Sequence, residues 1–78
     1  MRLEILGTGC AKCHKLEELV RETVAMQGVS ADISKVEDIK KIMAYGVMTT
    51  PALVIDGKVK AAGKIPTAEQ ITGWLIQG

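Results

Sequence analysis

The chain opens with Arg2-Leu3-Glu4-Ile5-Leu6, where polar and apolar side chains alternate. That period of two predicts a half-buried strand over residues 2–6. Gly7-Thr8-Gly9 breaks it, and from Ala11 to Gln27 the period changes. Cys13, Leu16, Val20 and Val24 recur at spacings of three or four, with Leu19 widening the stripe. Glu17, Glu18, Arg21 and Glu22 fill the other side, so this segment predicts an amphipathic helix. Gly28 is placed to stop it. Val29 to Ile33 is the next strand candidate. Ser34-Lys35-Val36-Glu37 matches a capping box, in which Ser and Glu satisfy each other's end of a new helix. That helix would bury Val36, Ile39, Ile42 and Met43 and stop at Gly46.

Ala52-Leu53-Val54-Ile55 is a third, wholly apolar strand. Asp56-Gly57 after it is a strong hairpin signal, because a type I′ turn needs positive φ at both central residues. Lys58 to Ala62 is the return strand. Thr67 and Gln70, just past Pro66, form a second capping box. It opens a final helix to about Ile76 that would bury Ala68, Ile71, Trp74 and Leu75. The expected fold class is therefore α/β in the order βαβαββα, with a four-stranded mixed sheet flanked by helices. The first two strands should be parallel, with a right-handed crossover, and the last two antiparallel. With 78 residues and no repeat or linker, residues 1–78 are expected to form a single domain.

Composition narrows the partners. Ten Lys/Arg against nine Asp/Glu leave a net charge of +1, which argues against nucleic acid or an anionic membrane as the main partner. No apolar run approaches the ~20 residues of a membrane span. The apolar stretch at the N-terminus is too short for a signal peptide and is interrupted by Glu4. The expected location is the cytoplasm.

The two cysteines, Cys10 and Cys13, are separated by only Ala11 and Lys12. A disulfide across so short a loop removes little unfolded-state entropy, so the pair is a poor structural staple. Its place, between the first strand and the first helix, points to chemistry instead. A thiolate is the attacking species, and a helix N-terminus lowers a cysteine pKa from ~8.5. Cys10, at the helix start, should be exposed and act as the nucleophile. Cys13, a turn further on and within the apolar stripe, should be more buried and act as the resolving thiol. Lys12 and His14 add positive potential, with His14 tuning the site.

Three other readings compete. The cysteines could be buried and inert. Cys10-Ala11-Lys12-Cys13-His14 also fits the c-type haem pattern, although a chain of 8.4 kDa without phenylalanine has little apolar space for a haem. The same thiols could instead carry or sense a soft metal such as Cu or Zn. Against this, structural zinc normally takes four ligands. Small metallochaperones also end in a strand, whereas this chain ends in a capped helix. Met26, Met43 and Met48 are read as core or site-rim packing rather than as metal ligands.

Thr50-Pro51 enters the third strand about forty residues after the cysteines. With the CxxC pair and the element order, this resembles the thioredoxin superfamily. The short length resembles glutaredoxins and the small thioredoxin-like redox-active disulfide proteins. The resemblance extends through Asp56-Gly57 and Gly63 to the last helix.

It implies a protein disulfide oxidoreductase with no cofactor or metal beyond the Cys10–Cys13 disulfide itself. It also implies a cis peptide bond at Pro51 facing the sulfurs, with Thr50, Pro51, Gly9, Ala11 and Lys12 contacting the client. The partners would be disulfide-containing proteins and a thioredoxin-reductase-like donor, and the protein would be a monomer. The motif lacks the Pro-Tyr of glutaredoxins. The first strand lacks the buried aspartate of thioredoxins and carries Glu4, which leaves water or His14 as candidate proton acceptors for Cys13. Lys58, Lys60 and Lys64 suit solubilisation of an edge strand, with a glutathione carboxylate contact as the alternative.

Overall fold

The computed structural model describes residues 1–9 and 11–77. The element order is β1 (Arg2–Leu6), α1 (Ala11–Gln27), β2 (Asp32–Val36), α2 (Ile39–Ala44), β3 (Ala52–Ile55), β4 (Lys58–Ala62) and α3 (Ala68–Gln77). The sheet runs β2-β1-β3-β4. β1 pairs parallel with β2 and antiparallel with β3, and β3 pairs antiparallel with β4. This is the mixed, helix-flanked α/β sheet that the hydrophobic pattern predicts.

β1 lies between two neighbours, and its alternation sorts side chains to opposite faces. Leu3 and Ile5 join Leu16, Val20, Val24, Leu53, Ile55, Ile71 and Leu75 in the larger core, beneath α1 and α3. Leu6 joins Ile42, Val47, Ala52 and Val54 in a smaller core beneath α2. Glu4 is buried as well, and its carboxylate accepts a hydrogen bond of 2.8 Å from the Tyr45 hydroxyl. That bond, with burial second, raises the Tyr45 pKa above the ordinary tyrosine range.

Several local signals act as expected. Asp56 and Gly57 both have positive φ, at 49° and 83°, and they turn β3 into β4. A bulge at Leu53/Val54 shifts the register of that hairpin. Thr67 and Gln70 cap α3 reciprocally: the Gln70 N–H donates to Thr67 Oγ1 at 3.1 Å, and the Thr67 N–H donates to Gln70 Oε1 at 3.0 Å.

The middle of the chain departs from expectation. The second strand is not Val29–Ile33 but Asp32–Val36, and Ser34 lies inside it rather than capping a helix. Parallel pairing with all five residues of β1, Arg2 with Asp32 through Leu6 with Val36, overrides the local capping signal. The cap of α2 is Asp38, whose side chain accepts from the Lys40 N–H at 2.9 Å. Only Ile42 of the expected stripe is buried within α2; Ile39 and Met43 are exposed, and Val36 belongs to β2. In α3 Ala68 is exposed, while Ile71 and Leu75 are buried and Trp74 is half-buried. Met26 is exposed on α1, outside both core and rim.

Candidate active site

Gly7 is the first residue past β1, and its N–H donates to the Val36 carbonyl at 3.0 Å. A β-carbon there would overlap Cys13 Sγ and would lie 4.0 Å from Thr50 Cβ. The backbone of the β1 exit, the Cys13 sulfur and the loop before β3 therefore meet at one point. Glycine is required at Gly7 by this close approach, not by its backbone angle.

Cys13 is in the first turn of α1 and is only 6% exposed. It shares a narrow cleft with Ile5, Gly7, Gly9, His14, Lys35 and Glu37. Cys10 lies outside the described residues, so its expected exposure and role rest on the sequence. Gly9 has φ +87° and makes the turn into α1. Ala11, Lys12 and His14 are exposed on the first turn of the helix. Of these, His14 lines the cleft and Ala11 and Lys12 do not.

The Thr50–Pro51 peptide bond is cis. Pro51 is fully buried and Thr50 is exposed. The Pro51 carbonyl accepts from the Gly63 N–H at 2.9 Å, and a β-carbon on Gly63 would come within 2.5 Å of Thr49 Oγ1. The loop is thus held from the β4 side through Gly63. On its other side Thr50 lines an apolar groove with Thr8, Ile39, Ile42, Met43, Val47 and Met48. Met43 and Met48 therefore sit on the rim of the site.

Glu4 does not reach Cys13. It faces α2, across the sheet from the cleft, and its carboxylate is committed to Tyr45. Two carboxylates lie on the side of Cys13 instead. Glu37 lines the cleft itself. Glu17 is not on an open polar face as the helical pattern suggests: its side chain is 16% exposed and bridges Lys35 Nζ at 3.1 Å and Arg21 Nη2 at 3.0 Å. Hydrogen bonding to Lys35, followed by that to Arg21 against the opposing effect of burial, holds the Glu17 carboxyl below its usual range.

Sequence reasoning gave no role to Gly7, Lys35 or Glu17. The one available signal was the four-residue spacing of Cys13 and Glu17, which puts them on neighbouring turns of one helix face. Among the described residues no three His, Cys, Asp or Glu side chains are grouped to hold a metal ion. No helix among them is long and apolar enough to cross a membrane.

A sheet whose first strand exits onto a cysteine at a helix start, opposite a cis-prolyl loop, defines a class that the comparisons then name. A family profile described as a thioredoxin domain matches residues 1–76. The chain is 37% identical over 71 residues to a protein named thioredoxin from Methanothermobacter thermautotrophicus, covering 91% of this chain and 92% of that one. It is 39% identical over 69 residues to a thioredoxin from Methanocaldococcus jannaschii, covering 88% of this chain and 79% of that one. The chain belongs to the thioredoxin-domain family. That membership supports a function of the thiol–disulfide oxidoreductase type.

Proposed function

We propose that this protein reduces disulfides in partner proteins through the Cys10-x-x-Cys13 pair. The observation that carries the reading is the meeting of Cys13 Sγ and Thr50 Cβ at Gly7. It sets the second sulfur of the motif beside a loop whose Thr50 is exposed for a client. An extended client segment could pair with the Thr50 backbone as an added strand.

The chemistry then runs in two exchanges. The Cys10 thiolate attacks one sulfur of the client disulfide, breaking that bond and forming a mixed disulfide, and the other client sulfur leaves as a thiolate. Cys13 loses its proton and attacks Cys10. The Cys10–client bond breaks, its electron pair leaves on the client sulfur, and the Cys10–Cys13 disulfide forms. The client gains two electrons and the protein dithiol loses two. A thioredoxin-reductase-like flavoenzyme is the better-supported donor for returning them, since Cys10-Ala11-Lys12-Cys13 lacks the glutaredoxin Pro-Tyr. Such a protein works as a reductant in a reducing compartment such as the cytoplasm.

Insulin reduction with dithiothreitol tests this reading. Cys10→Ser should abolish it, and Cys13→Ser should accumulate mixed disulfides. A Cys10→Ser protein working at the wild-type rate would overturn the assignment. So would a wild-type protein that binds stoichiometric Zn or Cu at high affinity and reduces no disulfide.

A further inference from the structure

Met48, Met26 and Met43 are open to solvent, at 92%, 82% and 64% exposed. Met26 is near the end of α1, roughly 20 Å along the helix from Cys13 at about 1.5 Å per residue. A single exposed apolar side chain of that kind is ordinary. Met43 and Met48 differ, because they share one groove with exposed Ile39, above buried Ile42 and Val47. Exposed apolar side chains gathered in one concave patch mark an interaction surface.

Thr50 lines the same groove, which is therefore continuous with the loop where a client strand is proposed to pair. That continuity names the occupant: the apolar side chains beside the client's reacting cysteine. Thioethers suit the task, since unbranched methionine adapts its shape to varied apolar partners.

The same two residues carry a reactivity that leucine in their place would lack. A hydroperoxide converts a thioether into a sulfoxide, and an apolar side chain becomes a polar one. The sulfur lone pair attacks one peroxide oxygen, the O–O bond breaks and an S–O bond forms. The proton of the transferred oxygen passes to the other oxygen, which leaves as water or an alcohol. The sulfur gives up two electrons and the peroxide gains them. Neither methionine belongs to the buried clusters, and α2 contributes only Ile42 to the core. Oxidation at these positions therefore changes the groove and spares the fold.

We propose that Met43 and Met48 form a modification site for hydroperoxides, whose sulfoxides weaken the docking of clients with apolar residues beside the disulfide. The proposal rests on the disulfide-exchange reading above and adds to it a dependence on oxidant exposure.

The test starts from the disulfide form, in which the two cysteine sulfurs are bonded to each other. It is treated with hydrogen peroxide, then reduced with dithiothreitol and freed of it. Peptide mapping should find an added oxygen on Met43, Met48 and Met26. The rate constant for reducing a disulfide peptide with leucine beside its cysteines should then fall about fivefold, the size expected when a polar group enters an apolar contact. Hydroxyethyl disulfide, which has no flanking residues, should react at an unchanged rate. Methionine sulfoxide reductases should restore the peptide rate. The urea unfolding midpoint should be the same before and after treatment. Met43→Leu/Met48→Leu, compared with its own untreated form, should keep its peptide rate through the treatment, and Met26→Leu should lose as much as the wild type.

A treated wild type with sulfoxide at both groove residues and an unchanged peptide rate would overturn the proposal while leaving the exchange reading intact. So would a map in which Met26 is oxidised and the groove pair is not, or the same loss in the double leucine variant. An equal loss with hydroxyethyl disulfide, or a large drop in the unfolding midpoint, would overturn it too, by moving the cause to the cysteines or to the fold. An untreated wild type that reduces neither disulfide would remove the exchange reading and this proposal together.

Discussion

The two faces of the sheet are built unequally. Beneath α1 and α3, nine buried apolar residues from four elements interlock, and Leu3, Leu16, Val20, Leu53 and Ile71 are 0% exposed. Beneath α2, five buried residues pack under a helix of six, which contributes only Ile42. The same face also accommodates the Glu4–Tyr45 hydrogen bond. The difference separates anchorage from access. Cys13 is in α1, the helix over the larger core. Thr50 borders the lighter face, where Ile39, Met43 and Met48 stay exposed around it. The site straddles the seam between a firmly packed half and a loosely covered one.

Truncations on each face break the comparison most directly. Leu53→Ala should cost about 2–5 kcal/mol in urea unfolding, as leucine truncation in a well-packed core does. Ile42→Ala should fall at or below the low end of that range, since a short helix with one buried residue can settle into the space. An Ile42→Ala cost equal to that of Leu53→Ala would show that the two faces are equally rigid. Next in size is the seam itself. Gly7→Ala sets a methyl group against Cys13 Sγ, and overpacking of that kind costs about 1–3 kcal/mol. Insulin reduction should fall with it. Gly73→Ala, within α3 where an added β-carbon meets nothing within 4 Å, should keep full activity.

The smallest effects come from pH, and each face has its own reporter. Glu17, above the larger core, has a lowered folded pKa. Its contribution to stability is present above the ordinary carboxylate range and is lost as pH falls through the lowered value. Tyr45, on the lighter face, has a raised folded pKa. Its contribution is present below the ordinary tyrosine range and is lost as pH rises through the raised value. Glu17→Gln should therefore flatten only the acid limb of a stability–pH curve and Tyr45→Phe only the alkaline limb. The acid-limb effect should shrink with added salt, as surface ion pairs do. A Glu17→Gln curve with an unchanged acid limb would remove the Lys35 bridge as a stabilising contact.

The elements legible in the sequence are those whose signals are local. The stripe of α1, the Asp56-Gly57 turn and the Thr67/Gln70 box each act within a few residues, and each stands as the pattern predicts. The Ser34–Glu37 box was equally local, but it lost to pairing with β1, a partner some thirty residues away in sequence. The same limit applies at the site. Cys13 could be placed on a buried helix face because its neighbours in the stripe are close in the chain. That Gly7 carries the sulfur against its backbone depends on how β1 and α1 meet. That Lys35 lines the same cleft as Cys13 depends on the register of β2, and no run of neighbouring residues encodes it. Cys10, the nucleophile of the sequence reading, lies outside the described residues.

The central claim is that the first cysteine of the motif is an activated nucleophile. The rate of Cys10 alkylation by iodoacetamide, followed against pH in Cys13→Ser, tests it directly. The account predicts a titration midpoint clearly below the ~8.5 of an unperturbed cysteine. A midpoint at the ordinary value would contradict it.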